Sequence, residues 1–258
     1  MADLLNFVEQ GPASGTPLVL IHPLGADRHF FDETVPEFGE GVRSIQLDLR
    51  GSGASVDLVE PLTLSQTVAD IEAVRRHLGL PRIVVAGCAI GGMAAALYAA
   101  SHPDRTAGLV MSNPAIRIAP AAGENLTMRA AQVRAKGMAS LLPAAIENAF
   151  VGYTETEGRR RYEAAFVAQK AENYALACLG AVGADLAGEL VRIVCPTLLI
   201  VGARDALMAP SNAAEIAGLV PHALTTEFED GAHFIPYQQP LRFGARVAGF
   251  LDQYGLRA

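Results

Sequence analysis

The segment VVAGCAIGG, Val84 to Gly92, has the spacing of a nucleophile elbow, in which Gly-x-Ser-x-Gly sets a serine on a sharp turn between a strand and a helix. Here the five positions read Gly87, Cys88, Ala89, Ile90 and Gly91, so the hydroxyl that would attack a carbonyl carbon is missing. Two later segments carry the other residue types of such a site. VGARDALMAP puts Asp205 just beyond the end of one predicted strand, and EDGAHFIPYQQP puts His233 just beyond the next. A lone histidine or a strand-end aspartate is more often structural, but their order after an elbow is that of a nucleophile, an acid and a base in acyl transfer. The other place for the acid, after the strand ending at Ser112, holds Asn113 and Pro114. Neither supplies a carboxylate, which favours Asp205.

An elbow aims consecutive side chains in different directions, so Cys88 is expected to point back into the fold and not to act as a displaced nucleophile. Side chains at positions 87 and 91 would press on the neighbouring strand or helix, and Gly92 with Ala94, Ala95 and Ala96 lets the following helix sit close. Cys88, Cys178 and Cys195 are odd in number, scattered and without metal-ligand spacing. Buried reduced thiols are expected, with no disulfide framework, metal or other cofactor.

These groups must be positioned by a sheet. Short apolar runs rich in β-branched residues alternate with helix-length amphipathic segments, the pattern of an α/β protein with a mostly parallel sheet and crossover helices. The predicted strands are Pro17 to Ile21, Arg43 to Asp48, Arg82 to Ala86, Ala107 to Ser112, Thr197 to Gly202 and Ala223 to Phe228. Apolar on both faces, most of them belong inside the sheet. In the helix after EPLT, Leu64, Val68, Ile71, Val74 and Leu78 recur at helical intervals, while Asp70, Glu72 and Arg76 fall elsewhere. Thr63 and Gln66 are expected to cap that helix reciprocally.

Between Pro114 and Leu190 the strand pattern gives way to alanine-rich helical stretches. This is read as a helical cap, residues 115–190, inserted into a core made of residues 1–114 and 191–258. APAAG, Ala119 to Gly123, reads as a flexible entrance to the cap.

The 258 residues are 51% hydrophobic, enough for a sizeable core, and carry a formal charge of -7 with no dense run of lysine or arginine. That balance argues against nucleic acid or an anionic membrane as a partner and for a small molecule. The first residues lack a basic stretch followed by a long apolar run, and no apolar run of about twenty residues occurs, so a soluble cytoplasmic protein is expected. The sequence leaves the oligomeric state open.

On these motifs the chain resembles the α/β-hydrolase family over nearly its whole length. LVLIHPLGA is similar to that family's oxyanion loop, and LDLRGSGAS, Leu47 to Ser55, to its Asp-x-Arg-Gly-x-Gly-x-Ser segment. The elbow, NYALACLGAVGADL and CPTLLIVGARDALMAP resemble most the 3-oxoadipate enol-lactonases and related hydrolases of small lactones and esters. His22-Pro23 departs from the more frequent His-Gly, although proline at 23 leaves the amide of Leu24 intact.

The resemblance implies an α/β-hydrolase fold, a doubly wound and mostly parallel sheet with an inserted helical cap. It also implies cofactor-free cleavage of a small ester or lactone through an acyl-enzyme. His233 would take the proton of a hydroxyl at position 89, Asp205 would hold the imidazole, and the amides of Leu24 and Ile90 would bind the oxyanion. Ala89 breaks the first step, so the chain reads as a nucleophile-to-alanine variant that binds but hardly turns over. The alternatives are a ligand-binding protein on this fold, or a triad enzyme of carbon-carbon hydrolase or lyase type. Arg129, Arg134 and Lys136 are candidates to pair with a substrate carboxylate. Met138 and Leu142 are candidates for the pocket wall, although they, Met128 and Phe150 also suit the core of the cap. Asp48 and Arg50 are expected to hold the turn beside the elbow, and Asp27 and Arg28 border the oxyanion loop without an assigned role.

Overall fold

Apolar runs too short for helices pair into a seven-stranded sheet in the computed structural model, which describes residues 4–153 and 156–257. The strands are β1 (Phe7–Gln10), β2 (Thr16–Ile21), β3 (Val42–Leu47), β4 (Ile83–Cys88), β5 (Thr106–Ser112), β6 (Thr197–Gly202) and β7 (Leu224–Phe228). Their spatial order is β1-β3-β2-β4-β5-β6-β7. β1 runs antiparallel to β3, and every other pairing is parallel. The six expected strands are all present, with ends within a residue or two of the sequence reading.

β1 was not anticipated: FVEQ is four residues long and only partly buried, so it lacks the apolar run by which the inner strands are read. β4 and β6 are buried at every position, whereas β7, on the edge, alternates between partly buried and exposed. The two faces of the sheet serve different cores. Val19, Ile21 and Val85 join one apolar cluster, while Leu18, Leu20, Val84 and Ala86 join the other, as the period-2 alternation of a strand requires.

Ten α-helices are assigned among the described residues. The first two are α1 (Leu64–His77) and α2 (Ile90–Ser101). Five lie between β5 and β6: α3 (Pro120–Lys136), α4 (Ala144–Ala149), α5 (Glu157–Ala168), α6 (Ala171–Ala181) and α7 (Ala187–Leu190). Then come α8 (Ser211–Leu219), α9 (Ile235–Gln238) and α10 (Pro240–Gln253). α1, α2 and α8 pack on one face of the sheet through Val68, Ile71, Ala95 and Ile216. α10 covers the other with Phe243, Val247, Phe250 and Leu251, each burial worth roughly 1.5–3 kcal/mol.

Three local expectations are corrected. Thr63 Oγ1 accepts from the Gln66 amide at 3.1 Å, but the Gln66 side chain turns to Asp70 at 3.3 Å and does not reach back to Thr63. Asp70 is buried, 5% exposed, because Arg50 neutralises it with two hydrogen bonds of 2.7 and 2.8 Å. Ala119–Gly123 is no flexible entrance, since α3 starts at Pro120, where a missing N–H costs nothing.

The chain moves outward from β2 to β3 and then returns to place β4 on the other side of β2, with Ile21 level with Gly87. The loops after β2 and β4 therefore part company at the carboxyl edge, which is where open α/β sheets hold their ligands.

Candidate active site

The elbow is built from the close approach of three backbones. A Cβ on Gly87 would stand 2.2 Å from the Gly91 carbonyl oxygen, and one on Gly91 would stand 2.4 Å from that of Ile21. No side chain fits either gap. Between them Ala89 is forced to φ 51° and ψ -117°, a conformation costing a non-glycine residue on the order of 1–3 kcal/mol. The turn is pinned on both sides, by Ala89 N donating to Ser112 O at 3.0 Å and by Met93 N donating to Ala89 O at 3.0 Å. Cys88 is fully buried with its thiol 3.6 Å from the carbonyl oxygen of His233, and burial pushes that thiol well up. It faces into the fold, as the elbow geometry requires, and stays protonated.

His233 and Asp205 come together from the loops after β7 and β6. Nδ1 of the imidazole lies 2.9 Å from Asp205 Oδ2 and 3.0 Å from Oδ1. Both residues are buried, at 5% and 8% exposure. Asp205 Oδ1 also accepts from the amides of Leu207 and Met208 at 2.8 and 2.9 Å, and Oδ2 from Asn113 Nδ2 at 2.9 Å. Burial opposes the charge of Asp205, but the hydrogen bond and electrostatic pull of His233 and the amides of Met208 and Leu207 outweigh it and hold the carboxyl below its usual range. Nε2 of His233 has no hydrogen-bond partner among the described residues.

The loop after β2 is fixed by His22. Burial keeps this imidazole neutral, so Nδ1–H donates to the Pro23 carbonyl at 2.9 Å while Nε2 accepts from the Leu49 amide at 3.1 Å. Asp48 ties down the adjoining turn, accepting from the amides of Arg28 at 2.8 Å and Ala54 at 3.0 Å. Asp48 and Arg50 thus hold structure near the elbow. Asp27 accepts from the His29 amide at 2.9 Å and caps the short helical turn that follows.

Ala89, Ile90, Leu24 and His233 share the wall of one cavity of about 390 Å³, which helices α3, α4, α5 and α6 also line. Arg129, half-buried on α3, lines it too. Its guanidinium lies 5.8 Å from the centre of the Tyr174 ring, and among the described residues no carboxylate pairs with it. Burial pushes the phenols of Tyr162 and Tyr174 up, so both stay protonated on the cavity wall.

The remaining candidates lie elsewhere. Arg134 is exposed and bonded to Glu172 at 2.6 and 2.8 Å, because five residues on a helix turn it about 140° from Arg129. Lys136 is exposed at the end of α3. Met138 is buried in the apolar cluster beneath the helices, Leu142 packs on the same cluster, and neither reaches the cavity. Met128 is 63% exposed and belongs to no core, unlike Phe150. Sequence reasoning missed Tyr162 and Phe166 as cavity residues, although their i, i+4 spacing marks one inward face of α5. It also dismissed Asn113. Among the described residues no group of His, Cys, Asp and Glu side chains is arranged to hold a metal ion, and no helix is long and apolar enough to cross a membrane.

A mostly parallel, doubly wound sheet with an elbow after one central strand and an acid and a histidine after two later ones defines an α/β-hydrolase. Comparison places the chain within that class: it belongs to the Hydrolase_4 family, described as serine aminopeptidase S33, whose model matches residues 16–236. 3-Oxoadipate enol-lactonase 2 of Acinetobacter baylyi is 26% identical over 253 residues, covering 97% of this chain and 94% of that protein. The enol-lactonase of Burkholderia xenovorans superposes with a TM-score of 0.91 at 28% identity, over 96% of each chain. A thermophilic esterase from Thermogutta terrifontis gives 0.88 at 29% identity, over 97% of this chain and 93% of its own. The chain is therefore similar, along its full length, to hydrolases of esters and lactones.

Proposed function

We propose that the cavity receives a small ester or lactone bearing a carboxylate, and that the site is an acyl-transfer site lacking its nucleophile. The observation that carries this reading is that His233, hydrogen-bonded to the buried Asp205, shares the wall of one cavity with Ala89. His233 is assigned as the general base, Asp205 as the group that fixes its tautomer and supports its cation, and the amides of Leu24 and Ile90 as the oxyanion donors. Arg129 is assigned to the substrate carboxylate, since it is a cation on the cavity wall with no ion-pair partner among the described residues. The enol-lactonase relatives support a lactone of this kind.

With a methyl group at position 89 no acyl-enzyme forms, and loss of a triad nucleophile costs on the order of a millionfold in turnover. The chain as it stands is thus a binder of such a substrate with little hydrolysis. Restoring the hydroxyl with Ala89→Ser and assaying a generic aryl ester tests this reading. Hydrolysis that also requires His233 is the expected result. Alanine at 89 favours one second reading, a ligand-binding protein on this fold, under which the serine variant stays inert while still binding carboxylate-bearing lactones.

A further inference from the structure

Asn113 has no part in the chemistry assigned above, yet it is the second of two non-glycine residues with positive φ among the described residues, at 50°. It follows β5 as Ala89 follows β4, and Cys88 and Ser112 are partners across those strands. The two strained residues therefore leave the sheet side by side. Strain in non-glycine residues persists where the surroundings over-determine it, and it clusters at functional sites.

What over-determines Asn113 is its side chain. Nδ2 donates to Asp205 Oδ2 at 2.9 Å and to the Ala232 carbonyl at 2.8 Å, while Oδ1 accepts from Ser112 Oγ at 2.9 Å. The residue is 1% exposed, so no solvent replaces these partners. One amino group thereby grips the loop that carries Asp205 and the residue immediately before His233. It is also the only donor to Oδ2 besides the imidazole among the described residues.

We propose that Asn113 is a positioning residue: its amide sets the orientation of the Asp205 carboxylate and holds the acid-bearing and histidine-bearing loops together. This rests on the reading of Asp205 and His233 as acid and base. A carboxylate at 113 would do the opposite, because two such groups within hydrogen-bond reach cannot both stay charged, and one would keep a proton to higher pH.

Two variants separate the amide from the backbone. Asn113→Gly removes the side chain and accepts the positive φ at no steric cost. Asn113→Asp keeps the shape and replaces the donors with a titrating oxygen. In the chain carrying Ala89, proton NMR of the His233 Nδ1–H is expected to give a slowly exchanging downfield signal that broadens or vanishes in Asn113→Gly, thermal melting showing that the variant is folded. In an Ala89→Ser background, Asn113→Gly is expected to lower kcat about tenfold to a hundredfold with KM changed by less than about twofold. Asn113→Asp is expected to give a kcat that falls with rising pH where the parent is flat, as its proton is lost. An unchanged Nδ1 signal with unchanged kcat in Asn113→Gly, or a pH profile of Asn113→Asp that overlays the parent, overturns the proposal. If Ala89→Ser itself is inert, the acyl-transfer reading fails while the NMR comparison still decides the role of Asn113.

Discussion

At position 89 a single methyl group carries a stability prediction. Because φ there is 51°, Ala89→Gly relieves strain on the order of 1–3 kcal/mol against a glycine entropy cost of roughly 0.5–1 kcal/mol. The variant is expected to be more stable by about 1 kcal/mol, read as a higher urea midpoint. A drop in the midpoint would mean that the strain is smaller than the glycine entropy and the lost contacts of the buried methyl group together. Arg129 makes a second case. Arg129→Leu is expected to weaken binding of a carboxylate-bearing lactone about tenfold to a hundredfold, the worth of a charge-assisted hydrogen bond, and to spare a neutral ester of the same size. Arg134→Ala serves as the control, since its exposed pair with Glu172 is worth no more than about 1 kcal/mol. Calorimetric titration of both variants distinguishes them. The sequence offered Arg129, Arg134 and Lys136 as equals, because only the packed phase of α3 decides which one faces inward.

At the scale of elements, the junction of β2, β4 and α2 leaves no room for a side chain at Gly87 or Gly91. Gly91→Ala would drive a methyl group to within 2.4 Å of the Ile21 carbonyl oxygen, and the forced retreat of α2 is expected to cost about 1–3 kcal/mol. Denaturant melting checks the cost, and loss of activity in the Ala89→Ser background checks the accompanying shift of the elbow. His22 gives a pH signature. Burial holds its imidazole below the ordinary value, so the unfolded chain takes up a proton first as pH falls below about 6.5. Stability is then expected to decline with falling pH, by at most about 1.4 kcal/mol per unit from this group. A chain with His22→Gln is expected to show a shallower slope between about pH 7 and pH 5. The inner strands were legible because burial on both faces leaves continuous apolar runs. β1 was not, since a four-residue partly buried strand carries no such run, and the start of α3 was misread because Pro and Gly signal both loops and helix ends.

At the scale of the whole molecule, the order of motifs carried more than any single motif. Ala89, Asp205 and His233 lie far apart in the chain, and the strand order brings all three to one sheet edge. That convergence could be read from the sequence, because strand ends in a parallel sheet face the same way. The cavity above could not, since its wall depends on how α3, α5 and α6 dock. Nor could the part played by Asn113, whose partners Asp205 and Ala232 lie 92 and 119 residues away in the chain. On the proposed reading, the fold as a whole needs only the missing hydroxyl to become a working acyl-transfer site, and stopped-flow hydrolysis of an aryl ester by Ala89→Ser tests that most directly. A His233-dependent burst matching the enzyme concentration, with turnover at least about a thousandfold above the Ala89 chain, is the predicted result. Equal rates for the two chains, or activity untouched by His233→Ala, would contradict it.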